Sequence, residues 1–305
     1  MNRFVKLAWL TVGATVFVIL WGALVRATGS GAGCGNHWPS CNGEVLPLSG
    51  TPETMIELTH RLTSAGLGFL VLYLFLQARR RYPPGGLVRK ATGASLVLVA
   101  TEALVGAGLV LYEQTADADG LSRAFWNSGH LVNTFLLLGA VTLTAWWAST
   151  SRVERQLATQ RERRLVGVTV GGMLLLGISG AIAALGDTLF PVDSFAEGLE
   201  RELSATAHVF ERLRVLHPVI AIVVGLLAVR VASRLASRRS GRVPRLSSWL
   251  TLLVVAQFGL GLINVVLAAP VWMQLIHLLV ADAVWMTFVV ISAEVLTPAR
   301  SRVGV

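Results

Sequence analysis

The sequence predicts an all-α polytopic membrane protein of eight transmembrane helices, arranged as two four-helix bundles related by a pseudo-twofold axis, with both termini cytoplasmic. Three observations predict it. Hydrophobic residues make up 54% of the 305 residues and charged ones only 14%, with a mean hydropathy of +0.65, which is far too apolar for a soluble domain of this length. Apolar runs long enough to cross a hydrocarbon core recur eight times, at 7–26, 56–78, 91–112, 125–149, 165–185, 211–232, 247–268 and 272–296. The connections between them alternate in charge without exception.

On one side stand Arg3 and Lys6, then Arg79, Arg80, Arg81, Arg89 and Lys90, then Arg152, Arg155, Arg161, Arg163 and Arg164. Arg230, Arg234, Arg238, Arg239, Arg242 and Arg245 follow the sixth run, and Arg300 and Arg302 end the chain, so that 20 of the 26 basic residues share this side. The positive-inside rule makes it cytoplasmic. The opposite connections carry Glu113, Asp117, Asp119, Asp187, Asp193, Glu197, Glu200 and Glu202. The net charge of +9 is therefore a topology signal, not a nucleic-acid-binding face, and nucleic acid is excluded as a partner. Leu7 to Val25 is too long for a signal-peptide core and reads as a retained first helix, which makes a bacterial plasma membrane the expected location.

The domain plan follows from the runs. Residues 1–150 form an N-terminal half with an external loop at 27–55, residues 151–164 a cytoplasmic linker, and residues 165–305 a C-terminal half. Four helices per half place the halves the same way up, which requires an axis along the membrane normal. Within this repeat Gly22 matches Gly177, and Glu102 of TEALVGAGLV matches Gln257 of AQFGLGLINV. Gly172 and Gly177, five residues apart, are small residues of the kind that pack helices within or between chains, which leaves a homo-oligomer open.

The loop reads TGSGAGCGNHWPSCNGEVLPLSGTPETM and holds the only cysteines, Cys34 and Cys41. In an oxidising compartment this spacing favours a disulfide. A metal site using His37 between them, and a redox-active bridge, are the alternatives. His37 and His208 read as solvated loop residues.

His60, His130, His217 and His277 each stand four to six residues inside the outer ends of the second, fourth, sixth and eighth runs, about 6–9 Å below the boundary at 1.5 Å per residue. A lone histidine on an apolar helix is usually a hydrogen-bonded core residue, but four at one depth, on every helix that enters from outside, indicate a shared function. Imidazole pairs facing across a bundle are what six-coordinate haem iron requires, and no intramembrane cysteine or carboxylate cluster points to another metal. The repeat breaks one turn before the ligands, where Glu57 precedes His60 and Arg214 precedes His217. A carboxyl there suits proton movement, whereas an arginine suits a haem propionate, which predicts a reactive first-half haem and an electron-transferring second-half haem. The bland reading makes Glu57 a solvated helix-start residue. Glu102 and Asp282 are intramembrane acids with either a proton-moving or a hydrogen-bonding role.

GALVRATGSGAGCGNHWPSCNG followed by ELTHR, with SGHL around His130 and IHLL around His277, resembles the haem A synthase family over the whole chain. The resemblance implies oxidation of the C8 methyl of haem O to a formyl group through successive hydroxylations and loss of water. It implies His60 and His130 as ligands of the substrate haem, His217 and His277 as ligands of a haem B cofactor that relays electrons, and Glu57 as a catalytic residue. Arg61, Arg212 and Arg214 are propionate partners in this reading. Haem O synthase, a quinol or other electron donor and cytochrome oxidase assembly factors are the partners of such an enzyme. One departure stands out: Pro218 follows His217 where an arginine echoing Arg61 is expected, and a proline in the second helical turn tilts the ligand. A dihaem membrane cytochrome that only passes electrons from quinol to an external acceptor is the competing reading.

Overall fold

In a computed structural model, which describes residues 2–45, 47, 50–115, 118–150 and 158–297, each apolar run is a helix. These are α1 (Arg3–Ala27), α2 (Pro52–Arg81), α3 (Leu87–Leu111), α4 (Leu121–Ser149), α5 (Gln160–Leu189), α8 (Leu216–Ala236), α9 (Arg242–Val266) and α10 (Val271–Leu296), with short α6 (Phe195–Leu203) and α7 (Val209–Arg214) before α8. Taken with α7 as one span, α8 completes eight helices long and apolar enough to cross a membrane, and the chain is a multi-pass membrane protein. Among the described residues there is no strand, only an isolated bridge between Cys41 and Glu44 in the long loop. Asp117, Arg152, Arg155, Arg300, Arg302 and the linker residues 151–157 lie outside the described residues.

The helices overrun the apolar runs because capping side chains satisfy their first N–H groups beyond the hydrocarbon. Asn2 accepts from the Val5 amide at 2.9 Å, and Thr51 accepts from Thr54 with Pro52 pre-set at the first helical position. Thr159 and Glu162 form a reciprocal capping box. Helix α5 accordingly starts at Gln160, so the last five residues of the expected linker at 151–164 are helical.

The sixth span departs from expectation. Its helix is interrupted at Val215, so Pro218 is not in a second turn but at the third position of a new helix. The cause is local, since a proline ring collides with the carbonyl four residues back and supplies no N–H, and the interruption falls at the residue after Arg214. At the third position of α8 that missing N–H has no intrahelical acceptor to lose.

Neighbours in sequence pack as neighbours in space: α1 with α2, α2 with α3, α3 with α4, then α5 with α8, α8 with α9 and α9 with α10. Between these two sets, α4 packs on α5 and α10, and α1 on α10 and α5. One hydrophobic core runs through both sets and includes Phe4, Leu74, Leu138, Leu235, Leu250 and Phe288. Large apolar residues such as Phe69, Leu104, Phe125, Val168 and Leu262 point outward, as lipid requires.

Polar side chains also join the sets. The guanidinium of Arg26 in α1 donates to the Ala184 carbonyl at 2.6 Å and the Thr188 hydroxyl at 2.8 Å on α5, and to Gln274 Oε1 on α10 at 2.9 Å. Deeper, buried Trp285 of α10 donates its indole N–H to the Phe135 carbonyl of α4 at 2.7 Å and stacks on the Phe135 ring, with centroids 5.6 Å apart. Gly139 lets the indole approach; a Cβ there would lie 3.5 Å from Trp285 Nε1. Replacing Trp285 with Phe removes this buried hydrogen bond while keeping an aromatic ring, and is expected to lower stability by about 1 kcal/mol. Thermal unfolding in detergent should show the loss, and Trp272→Phe, at an exposed position, should not.

Candidate functional site

The four intramembrane histidines all lie toward the end of the molecule that carries the cysteine loop. His60 follows Pro52 by eight residues, His130 follows Leu121 by nine, His217 follows Val209 by eight and His277 follows Val271 by six. They occupy equivalent turns of α2, α4, α8 and α10, further from the helix starts than the apolar runs suggested because the helices begin earlier.

Each imidazole rests on a glycine of the preceding long helix. A Cβ on Gly22 of α1 would sit 2.9 Å from His60 Cε1, one on Gly180 of α5 3.1 Å from His217 Cε1, one on Gly261 of α9 3.2 Å from His277 Cε1 and one on Gly106 of α3 3.9 Å from His130 Cε1. The expected match of Gly22 with Gly177 is thus one turn off. Gly180 packs on the histidine, while Gly177 faces Leu131 and Phe135 of α4.

The two rings of the second pair are spaced as two ligands of one metal would be. Two metal–nitrogen bonds of about 2.0 Å, with about 1.1 Å from each nitrogen to its ring centre, separate the centroids of opposed imidazoles by about 6.2 Å. The His217 and His277 centroids are 6.4 Å apart, with ring planes at 78°. Ser179 of α5 lies 3.0 Å from His217 Nδ1, which leaves Nε2 for a metal. His277 Nδ1 is buried with no hydrogen-bond partner among the described residues, and Gln257 of α9 stands 3.1 Å from its Nε2. The spacing of the two rings fits a bis-histidine haem. In the first pair the Nδ1 atoms of both His60 and His130 are buried without a hydrogen-bond partner among the described residues, and Glu102 Oε1 lies 3.1 Å from His130 Nδ1. Where Ser179 steadies His217, the equivalent Trp21 of the first half instead donates to the Ile56 carbonyl at 3.0 Å.

Glu57 is not a solvated helix-start residue, because it is only 4% exposed. Its Oε2 accepts the Cys34 amide at 2.9 Å, and its Oε1 is bound by Arg61. Arg61 Nη1 also donates to the His37 and Ser40 carbonyls, at 2.6 and 2.7 Å. Carboxylate and guanidinium together fasten the cysteine loop over the start of α2. Cys34 and Cys41 are bonded to each other and fully buried, packed with Leu58. Their sulfurs are thereby unavailable to the metal site considered with His37, and His37 itself is exposed. Gly33 crosses the α2 backbone so closely that a Cβ would stand 2.5 Å from the Glu53 carbonyl oxygen.

The remaining arginines divide. Arg212 is exposed and donates to the Ala205 carbonyl at 2.5 Å. Arg214 pairs with Asp187 at 3.0 Å and Glu202 at 2.8 Å, and its buried Nη2 has no partner among the described residues. Burial raises the Glu202 carboxyl above its ordinary value, against the pull of Arg214. His208 differs from the expected solvated residue: it caps α7, accepting from Phe210 at 3.3 Å, and packs on the Phe190 ring at 4.8 Å. Asp282 is fully buried, with neither carboxyl oxygen hydrogen-bonded among the described residues. Ser179, Arg26, Asp187 and the four glycines were not singled out as site residues from the sequence. The glycines had a signal, since Gly106 and Gly261 each follow by four residues the matched pair Glu102 and Gln257.

A helical membrane protein with two histidine pairs at one end, one of them spaced for a single metal, is the class that fold and site define. A family model for cytochrome oxidase assembly proteins (COX15-CtaA) matches residues 5–289, and the chain belongs to that family. It is similar to proteins named Protoheme IX farnesyltransferase from Thermus thermophilus, 49% identical over 304 residues, which are 99% of this chain and 50% of theirs. It is also similar to proteins named Heme A synthase from Bacillus cereus and Bacillus anthracis, 44% identical over 115 residues, 37% of each chain. The resemblance to haem A synthases drawn from the loop and ELTHR holds. The chain spans about half the length of the Thermus relatives.

Replacing Cys34 and Cys41 with alanine opens a short loop and is expected to lower stability by about 2–3 kcal/mol. A lowered thermal midpoint in the double variant, equal to that of the reduced wild-type protein, checks it.

Proposed function

We propose that this chain is a haem A synthase that oxidises the C8 methyl of haem O to a formyl group. The observation that carries the proposal is the pair of histidine sites that differ in their surroundings: a buried carboxylate one turn from His60, and an arginine with a spare buried donor one turn from His217. His60 and His130 hold the substrate haem O, and His217 and His277 hold haem B. When bound, haem B supplies a one-electron carrier. Ser179 fixes the His217 ring, and Arg214 Nη2 offers a donor to a propionate, whereas Arg61 is committed to Glu57 and the loop. Glu57 is held by the Cys34 amide and Arg61 on the face of α2 that carries His60, which puts a carboxylate able to exchange protons beside the substrate site.

The same reading sets the two helix sets as pseudo-twofold-related four-helix bundles, 1–150 and 165–305, in a bacterial plasma membrane with the basic connections and both termini cytoplasmic. A quinol or other donor feeds haem B, and haem O synthase supplies the substrate. The Thermus relatives, twice as long, carry a prenyl-transfer name, while the family model and the proteins named Heme A synthase support the oxidation reading.

Expressed beside a haem O source, the protein should yield haem A on extraction and mass analysis. Glu57→Gln should lose that product while keeping its low-spin haem absorption. Unchanged product in Glu57→Gln would remove Glu57 from the reaction, wild-type protein that keeps its haem but makes no haem A would favour the dihaem cytochrome, and haem O formed from haem B and a prenyl diphosphate would show prenyl transfer. Gly180→Val should displace His217 and lose most of the bound haem, with Gly13→Ala, where a Cβ meets nothing within 4 Å, as the control in the haem-to-protein ratio.

A further inference from the structure

The short helix α6, in the connection between α5 and α8, carries an exposed apolar stripe. Phe195 is 50% exposed, Leu199 44% and Leu203 74%. Their spacing of four residues keeps all three within an arc of about 80°, at about 100° per residue. The rest of the helix surface divides in two. Gly198 and Glu202 lie along the edge next to the stripe that faces the protein: Gly198 is buried, with a Cβ there 3.5 Å from Val192, and Glu202 Oε1 accepts from Arg214 Nε at 2.8 Å. Glu197, Glu200 and Arg201 take the opposite side, where Arg201 and Glu197 pair at 2.7 Å. Protein along one edge, apolar side chains along the next and charge along the third is the division of a helix lying flat in the surface layer of a bilayer, against the rest of its own protein.

What covers the stripe follows from its neighbours. A helix of nine residues is too short to be stable alone in water, and the packing of α6 on α7 leaves these three side chains outside. The bond from Glu202 to Arg214 brings Leu203 beside the start of α8, where Val215, Leu216 and Val219 are exposed. Helix α8 belongs to a membrane span, so those residues face lipid and the stripe continues their surface. The outward charges are mostly acidic, so attraction to anionic headgroups does not hold α6 in place. Contact with hydrocarbon does.

We propose that α6 is an interfacial anchor, with Phe195, Leu199 and Leu203 dipping into the acyl chains of the leaflet at the end of the molecule that carries the four histidines. Through Glu202 it ties Arg214 to the membrane surface. The inference stands apart from the assignment of haem to either histidine pair.

The test uses the full chain in nanodiscs of phosphatidylcholine, a zwitterionic lipid. Cys34 and Cys41 are buried and bonded to each other, so a single introduced cysteine alone takes a nitroxide label. Labels in L199C and L203C should show a ratio of collisions with oxygen, which concentrates among acyl chains, to collisions with a water-soluble nickel chelate that is several-fold higher than the ratio in E200C on the outward side. Equal ratios at the three positions would overturn the proposal. A high ratio seen only after anionic phosphatidylglycerol is added would show attraction by charge and overturn it as well. Mutual broadening of the L199C nitroxides would place a second copy of the chain on the stripe, with the same consequence. Should the label at Leu199 disturb the helix, L203C decides against E200C in the same way.

Discussion

An imidazole in hydrocarbon has two nitrogens to satisfy and no water to satisfy them, and the arrangement of the membrane-spanning helices answers that constraint. Each of the four histidines is pressed against a glycine of a neighbouring helix, which lets the helices approach closely and leaves the ring nowhere to turn. Ser179 then meets Nδ1 of His217, Gln257 meets Nε2 of His277, and Glu102 lies 3.1 Å from Nδ1 of His130. The Nδ1 of His60, like those of His130 and His277, has no hydrogen-bond partner among the described residues, and His60 is the histidine nearest in sequence to the buried Glu57.

The cysteine loop belongs to the same system, although it lies outside the spans. Disulfide, Gly33 crossing, Arg61 and the Glu57 carboxylate form one unit in which the loop backbone supplies the donor that the carboxylate needs and the arginine supplies the charge. This gives the bridge a structural role, and it places a carboxylate beside His60 without leaving it unpaired in an apolar setting. The second half has no counterpart. There Arg214 faces Asp187 and Glu202, so the asymmetry expected from Glu57 and Arg214 is carried by a different ion network on each side.

Where the sequence misled, the reason is local. Pro218 looked like a disturbance within a long helix, but the chain resolves it by ending one helix at Arg214 and starting another at Leu216. Gly177 looked like the partner of Gly22 because hydropathy cannot distinguish faces one turn apart, and the register is decided by which glycine meets a ring. His208 looked solvated because its stacking partner Phe190 is 18 residues away.

By itself the sequence determined the eight spans, the histidines at one level, the pairing of Glu102 with Gln257 and the resemblance carried by the loop and ELTHR. Length, apolarity and repeat spacing are properties of the chain taken in order, and a bilayer leaves few ways to satisfy them. Only the tertiary structure decided that His217 and His277 stand 6.4 Å apart, that Glu57 is buried beneath the Cys34 amide, and that each histidine has a glycine behind it. Those facts depend on how helices distant in sequence are rotated and set against one another, and rotation is fixed by packing between side chains, which no single segment encodes.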